Sequence, residues 1–236
     1  MDWADEGIVL SARKHGESAA IVTLLTRAHG RHLGLVHGGA GRRGRGVYQP
    51  GNRVAARWRA RLSEHLGTYV CELERSVAAA FLDDPARLAG LSAACAVAEA
   101  TLPERESHPA VFEAMLALLE AFETPGWDQA YVRWELGLLQ ELGFGLDLSK
   151  CAATGVKDAL VYVSPRTGRA LSLSAGGRWR DRLLPLPGFL IGQPGAGTVA
   201  DGLALTGYFL ERHVLSPGQR SLPAARTRLA ERFAPR

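Results

Sequence analysis

Cysteine is scarce: the 236 residues hold three, Cys71, Cys95 and Cys151, too far apart for a C-x-x-C pair or a disulfide framework. They read as reduced, buried thiols, the usual state of free cysteine. Long apolar runs are missing, and no stretch reaches the roughly 18 consecutive apolar residues of a membrane span. The opening MDWADEGIVL carries acids where a secretory signal carries basic residues, so a cytoplasmic protein is expected. Lysine is nearly absent too. Lys14, Lys150 and Lys157 are the whole complement among 28 basic residues, and the rest are arginine, which suits bidentate phosphate contacts. A nucleophile with its base, paired carboxylates or metal ligands at workable spacing stand out nowhere among the seven histidines and scattered acids. The expectation is a protein that is not an enzyme, with no catalytic residue, no cofactor and no metal.

What is present is charge sorted along the chain. Residues 1 to 76 hold twelve Lys and Arg against seven Asp and Glu, residues 77 to 150 hold four against twelve, and residues 151 to 236 hold twelve against five. An acidic middle separates two basic ends, and a surface field of one sign attracts a partner of the other. With 47% hydrophobic residues there is also ample material for a core.

The texture changes as well. GIVLSARK, SAAIVTLLT, RHLGLVHG, RVAARWRARL and GTYVCELER alternate or are β-branched and are separated by turn signals, which predicts five strands and a small barrel within residues 1–80. From Pro85 the pattern becomes helical: ARLAGLSAACAVAEATL, then SHPAVFEAMLALLEAF with a cap expected at Ser107, then WDQAYVRWELGLLQEL ending at Gly143. Phe112, Met115, Leu119 and Phe122 recur at helical spacing and read as core. The fold class expected is α+β, with a barrel over 1–80 and a mainly helical domain over 81–236.

Residues 38–46, GGAGRRGRG, hold no apolar side chain large enough to reach a core. The stretch lacks the order of a nucleotide P-loop, and no helix pattern follows it, so it reads as a flexible basic hairpin bearing Arg42, Arg43 and Arg45. The next strand, RVAARWRARL, puts Arg57, Arg59 and Arg61 on one face and Val54, Trp58 and Leu62 on the other, because side chains alternate along a strand. Trp58 thus belongs to the core, and Tyr48 is freer to stack on a base. A basic loop beside a basic strand on a five-stranded barrel of the OB type fits single-stranded nucleic acid. An RNA-binding OB-fold protein of the translation apparatus is the alternative that the barrel alone suits equally.

The segment EGIVLSARKHGESAAIVTLLTRAHGRHLGLVHGGAGRRGRGVYQPGN resembles the N-terminus of the bacterial RecO recombination mediators, and WELGLLQELGFGLDLSKC resembles that family's helix, its Leu-Gly ending and the following cysteine. The resemblance implies an N-terminal OB-fold, a helical domain, and a non-enzymatic role in DNA repair through the RecF pathway, in the cytoplasm and at the nucleoid during repair. It implies binding of single- and double-stranded DNA, strand annealing, and work with RecR that helps RecA replace single-strand-binding protein, with RecF as an indirect partner. By position, the DNA-binding residues expected are Arg13 and Lys14 after the first strand, Arg27 and Arg31 at the second turn, and Arg42, Arg43 and Arg45, joined by Arg57, Arg59 and Arg61 from the alternation.

The family further implies a site for the acidic C-terminal tail of single-strand-binding protein, which needs an apolar pocket beside a basic group. Arg133 with Trp134 is the candidate, while Arg178, Arg180 and Arg182 suit either the tail or DNA. Relatives with two C-x-x-C pairs are expected to hold zinc in a closed four-thiolate site. Here the first pair reads CAAT, no cysteine follows Cys151, and His213 is the only later histidine. The region around 151–190 is therefore expected to be a zinc-less insertion with a hairpin in VYVSPRTGRALSLS, held by Leu160, Val161, Leu171 and Leu173, with Cys151 as a small buried hydrophobe.

Overall fold

The computed structural model describes residues 1–193 and 197–234. The chain divides into two compact units, Met1–Phe122 with Pro223–Leu229, and Glu123–Leu222 with Ala230–Arg236. The architecture is α+β, as expected.

The first unit begins with β1 (Asp2–His15), β2 (Ala19–Thr26) and β3 (Gly30–Val36), then α1 (Arg42–Val47), β4 (Arg53–Arg59) and β5 (Thr68–Arg75). The pairing order is β1-β2-β3-β5-β4, with β4 returning to β1. All pairs are antiparallel except β3 with β5, which meet at the single parallel pair Leu35 and Thr68. This is a five-stranded Greek-key sheet of the OB type. Val9, Val22, Leu24, Val54, Ala56, Trp58 and Tyr69 fill its interior. Trp58 is core, and its Nε1 donates to the Leu66 carbonyl at 3.0 Å.

Two strand ends differ from the sequence reading. β1 is longer because Asp2–Ile8 pair with β4 while Gly7–His15 pair with β2, so one strand serves two neighbours across an irregularity between Val9 and Ser11. β4 ends at Arg59, which faces Asp2 of β1 and Thr68 of β5; beyond it only Ala60 still bonds, exchanging backbone bonds with Met1 at 2.7 and 2.9 Å. Arg61 accordingly leaves the strand and lies exposed in the β4–β5 connection.

Two helices accompany the barrel within this unit. α2 (Pro85–Thr101) is capped by Asp84, whose side chain accepts from the amides of Ala86 and Arg87. It is fastened to the barrel by Glu99, whose carboxylate accepts from Ser11 at 2.7 Å and from Thr23 at 3.0 Å. α3 (Pro109–Ala121) starts one residue later than expected: His108 is the N-cap, and the Ser107 hydroxyl instead donates to the Arg27 carbonyl. Phe112, Met115, Leu119 and Phe122 are buried as the spacing predicts.

In the second unit α4 (Trp127–Glu141) packs with α6 (Val199–Phe209), and a three-stranded sheet of order β7-β6-β8 is formed by β6 (Leu160–Val163), β7 (Ala170–Ser172) and β8 (Leu184–Pro185), with α5 (Leu173–Gly176) between β7 and β8. The expected hairpin is β6–β7, and β8 adds a third strand through Tyr162–Pro185 and Val163–Leu184. Leu160 is buried, but Leu173 is 57% exposed because it begins α5 rather than continuing the strand. α7 (Ala224–Phe233) closes the described chain.

Cys151 is buried, yet it is more than a small hydrophobe. Its Sγ accepts from the Ser172 amide at 3.4 Å and the Ser172 hydroxyl at 3.5 Å. Burial raises the thiol pKa, but the bonds from Ser172 and Thr154 outweigh it and bring the group down to about 6. Hydroxyls stand beside this sulfur, and among the described residues no group of three or more His, Cys, Asp or Glu is placed to hold a metal ion. The donor set does not fit a tetrahedral zinc site.

Candidate nucleic-acid interface

The glycine-rich stretch is not a flexible hairpin. Arg42–Val47 form α1, entered through Gly41 in extended conformation and closed by the Tyr48 amide donating to Gly44. The glycines pack by having no side chain. A Cβ on Gly44 would lie 2.7 Å from the Cα of Gly39, and one on Gly39 would lie 2.9 Å from the Ala20 Cβ, so the helix sits at backbone distance against the turn that follows β3. Asn52 clamps it from below, its Nδ2 donating to Gly46 and Val47 carbonyls at 3.0 Å while its Oδ1 accepts from the Val77 amide. Tyr48, expected to be free for stacking, is 7% exposed. Burial raises both its phenol and the Cys71 thiol it bonds, the latter to about 11.

Arg42, Arg43 and Arg45 are all exposed on this anchored helix. A groove of about 630 Å³ runs between α1 and the β1–β2 hairpin, lined by Lys14, Glu17, Arg45, Tyr48 and Gln49. A second, of about 520 Å³, lies on the β5 side and is lined by His37, Arg43, Tyr48, Cys71 and Glu72. The structure therefore brings Lys14 and Arg45 together and gives Arg43 a groove shared with His37, a residue the sequence reading missed. Arg13 and Lys14 are both exposed within β1, not after it, because the strand runs to His15.

Arg27 and Arg31 are engaged inside the unit. The Arg27 guanidinium pairs with Glu6 and Glu113 and lies 4.6 Å from the Phe112 ring centroid. Arg31 Nε donates to the Leu102 carbonyl at 2.8 Å. Both hold the helices to the barrel. Burial opposes ionisation of Glu6, yet the bonds from Arg27 and Arg53 keep its carboxyl below 4.5.

Arg57 and Arg59 are exposed on the outer face, as alternation requires. That face is not uniformly basic. Arg59 pairs across with Asp2, and Arg57 lies in a groove that also contains Asp5, Glu6, Glu72 and Glu74. In the second unit Arg133 and Trp134 do not converge. Adjacent helical residues point in different directions, so Arg133 is exposed and donates to the Phe189 carbonyl at 3.0 Å, while Trp134 is 6% exposed and tilted against Tyr131.

Residues 1–76 match the family described as Recombination protein O N terminal, and residues 82–223 match Recombination protein O C terminal. This chain belongs to the RecO family. A DNA repair protein RecO from Rhodospirillum centenum is 62% identical over 237 residues, spanning 99% of this chain and 95% of that protein. Those from Phenylobacterium zucineum and Rhodospirillum rubrum are 56% and 54% identical, again over 99% of this chain and over 98% and 96% of theirs. Membership in a family of DNA repair proteins does not favour the RNA-binding alternative. Among the described residues no helix is long and apolar enough to cross a membrane.

Proposed function

We propose that this RecO protein is a non-enzymatic recombination mediator of the RecF pathway. It binds single- and double-stranded DNA, anneals complementary strands and, with RecR, helps RecA replace single-strand-binding protein, acting in the cytoplasm at the nucleoid. The observation that carries the DNA-binding part is the exposure of Arg42, Arg43 and Arg45 together on an anchored helix, with Arg45 sharing a groove with Lys14. Guanidinium and ammonium groups beside a barrel groove suit a sequence-independent strand contact. Arg13 extends this edge. Arg57, Arg59 and Arg61 serve as outlying contacts, while Arg27 and Arg31 act mainly by holding the unit together.

The acidic tail of single-strand-binding protein is the expected peptide partner of the helical region. Arg133 is the basic residue to reverse there. Annealing of complementary strands coated with single-strand-binding protein tests the reading: acceleration is expected, weakened when the last residues of that protein's tail are removed. No acceleration with either coat would contradict it.

A further inference from the structure

Trp179 stands apart from the other four tryptophans. Trp58, Trp127 and Trp134 are buried in cores and Trp3 is stacked on His29, whereas Trp179 is 46% exposed. It lies on the 3-10 turn Gly177–Arg182, of sequence GRWRDR. Arg178 and Arg182 place their guanidinium carbons 5.4 and 5.7 Å from its ring centroid, and Arg180 is exposed with the still more exposed Asp181 as its ion-pair partner. The turn carries three arginines against one acid around a partly exposed indole.

The turn is also held in place. Ser172 caps α5 by accepting from the Ala175 amide at 3.4 Å, and Ser172 is itself bound to the buried Cys151 sulfur. Gly176 lies against Tyr162 so closely that a Cβ would stand 2.7 Å from that ring. The Leu183 amide then donates to Arg180 at 3.2 Å and closes the turn. An aromatic face on a fixed turn, between cations, suits an unpaired base stacked on the ring with its flanking phosphates on the guanidiniums. A peptide ligand would instead call for a concave apolar pocket.

We infer that Trp179, flanked by Arg178, Arg180 and Arg182, is a base-stacking contact for single-stranded DNA on the second unit, an inference that rests on the DNA-binding reading above. The test uses the full chain titrated with oligothymidylate, following tryptophan fluorescence and, with a labelled oligomer, anisotropy. The parent is expected to bind with quenching, Trp179→Phe to bind with most of the quench lost, and Trp179→Ala to bind about tenfold more weakly with an unchanged salt slope, since stacking releases no counterion. Arg178→Glu with Arg182→Glu is expected to weaken binding and lower the slope. If the parent binds but Trp179→Ala matches it, or Trp179→Phe keeps the full quench, this inference is overturned while the wider reading stands. Loss of binding to an acidic tail peptide with oligomer affinity unchanged would assign the turn to that peptide and overturn it too. A parent that binds no oligomer removes both.

Discussion

Gly44 and Gly39 pack backbone to backbone, so that a Cβ on Gly44 would stand 2.7 Å from the Cα of Gly39. The positive edge of the barrel depends on this contact, because it seats the helix that carries Arg42, Arg43 and Arg45. Gly44→Ala changes no charge but forces α1 away from the Gly39 turn that follows β3. It is expected to weaken single-stranded DNA binding severalfold and to cost about 1–3 kcal/mol of stability, as overpacking does. Gly46→Ala, where a Cβ meets nothing within 4 Å, is the matched control and is expected to preserve binding. Anisotropy titrations and denaturant melts of the two variants decide it.

The barrel was largely legible in the sequence, since alternation and turn residues located all five strands and placed Trp58 inside. Pairing was less so. The strand RVAARWR shows its own two faces, but that Arg59 opposes Asp2 and that Glu72 and Glu74 share the groove of Arg57 follows from register, which no single strand contains. α1 was missed because glycine disfavours helix by propensity, whereas here close approach requires it. Arg27 and Arg31 resemble DNA contacts in the chain; their partners Glu113 and the Leu102 carbonyl lie far away in sequence.

His32 gives the barrel an acid limit. It is 4% exposed among Trp3, Trp58 and Tyr69, and burial pushes its pKa down to about 4, although the bond to the Leu33 carbonyl pulls the other way. The unfolded chain, with an ordinary value of 6.5, binds the proton first. This contribution is therefore complete above pH 6.5 and is lost as pH falls towards about 4, amounting to on the order of 3 kcal/mol. His32→Asn is expected to flatten that limb in stability measured against pH. An equally steep limb in the variant would place the acid sensitivity elsewhere.

The insertion is expected to be indifferent to chelators. Cys151→Ser keeps a polar group facing Ser172 and is expected to cost only about 1 kcal/mol, with no change in metal content. Stoichiometric zinc in the purified protein, removed by chelator with loss of folding, would refute this.

The central claim, that the α1 edge of the barrel binds DNA through its arginines, is tested most directly by the salt dependence of single-stranded DNA affinity. Each phosphate neutralised on a single strand contributes a slope of about 0.7 in log affinity against log salt. Replacing Arg42, Arg43 and Arg45 together by alanine is expected to lower affinity and reduce the slope by about 1 to 2, with the melting transition unchanged. A folded triple variant with the slope and affinity of the parent would contradict the claim and move the site away from α1.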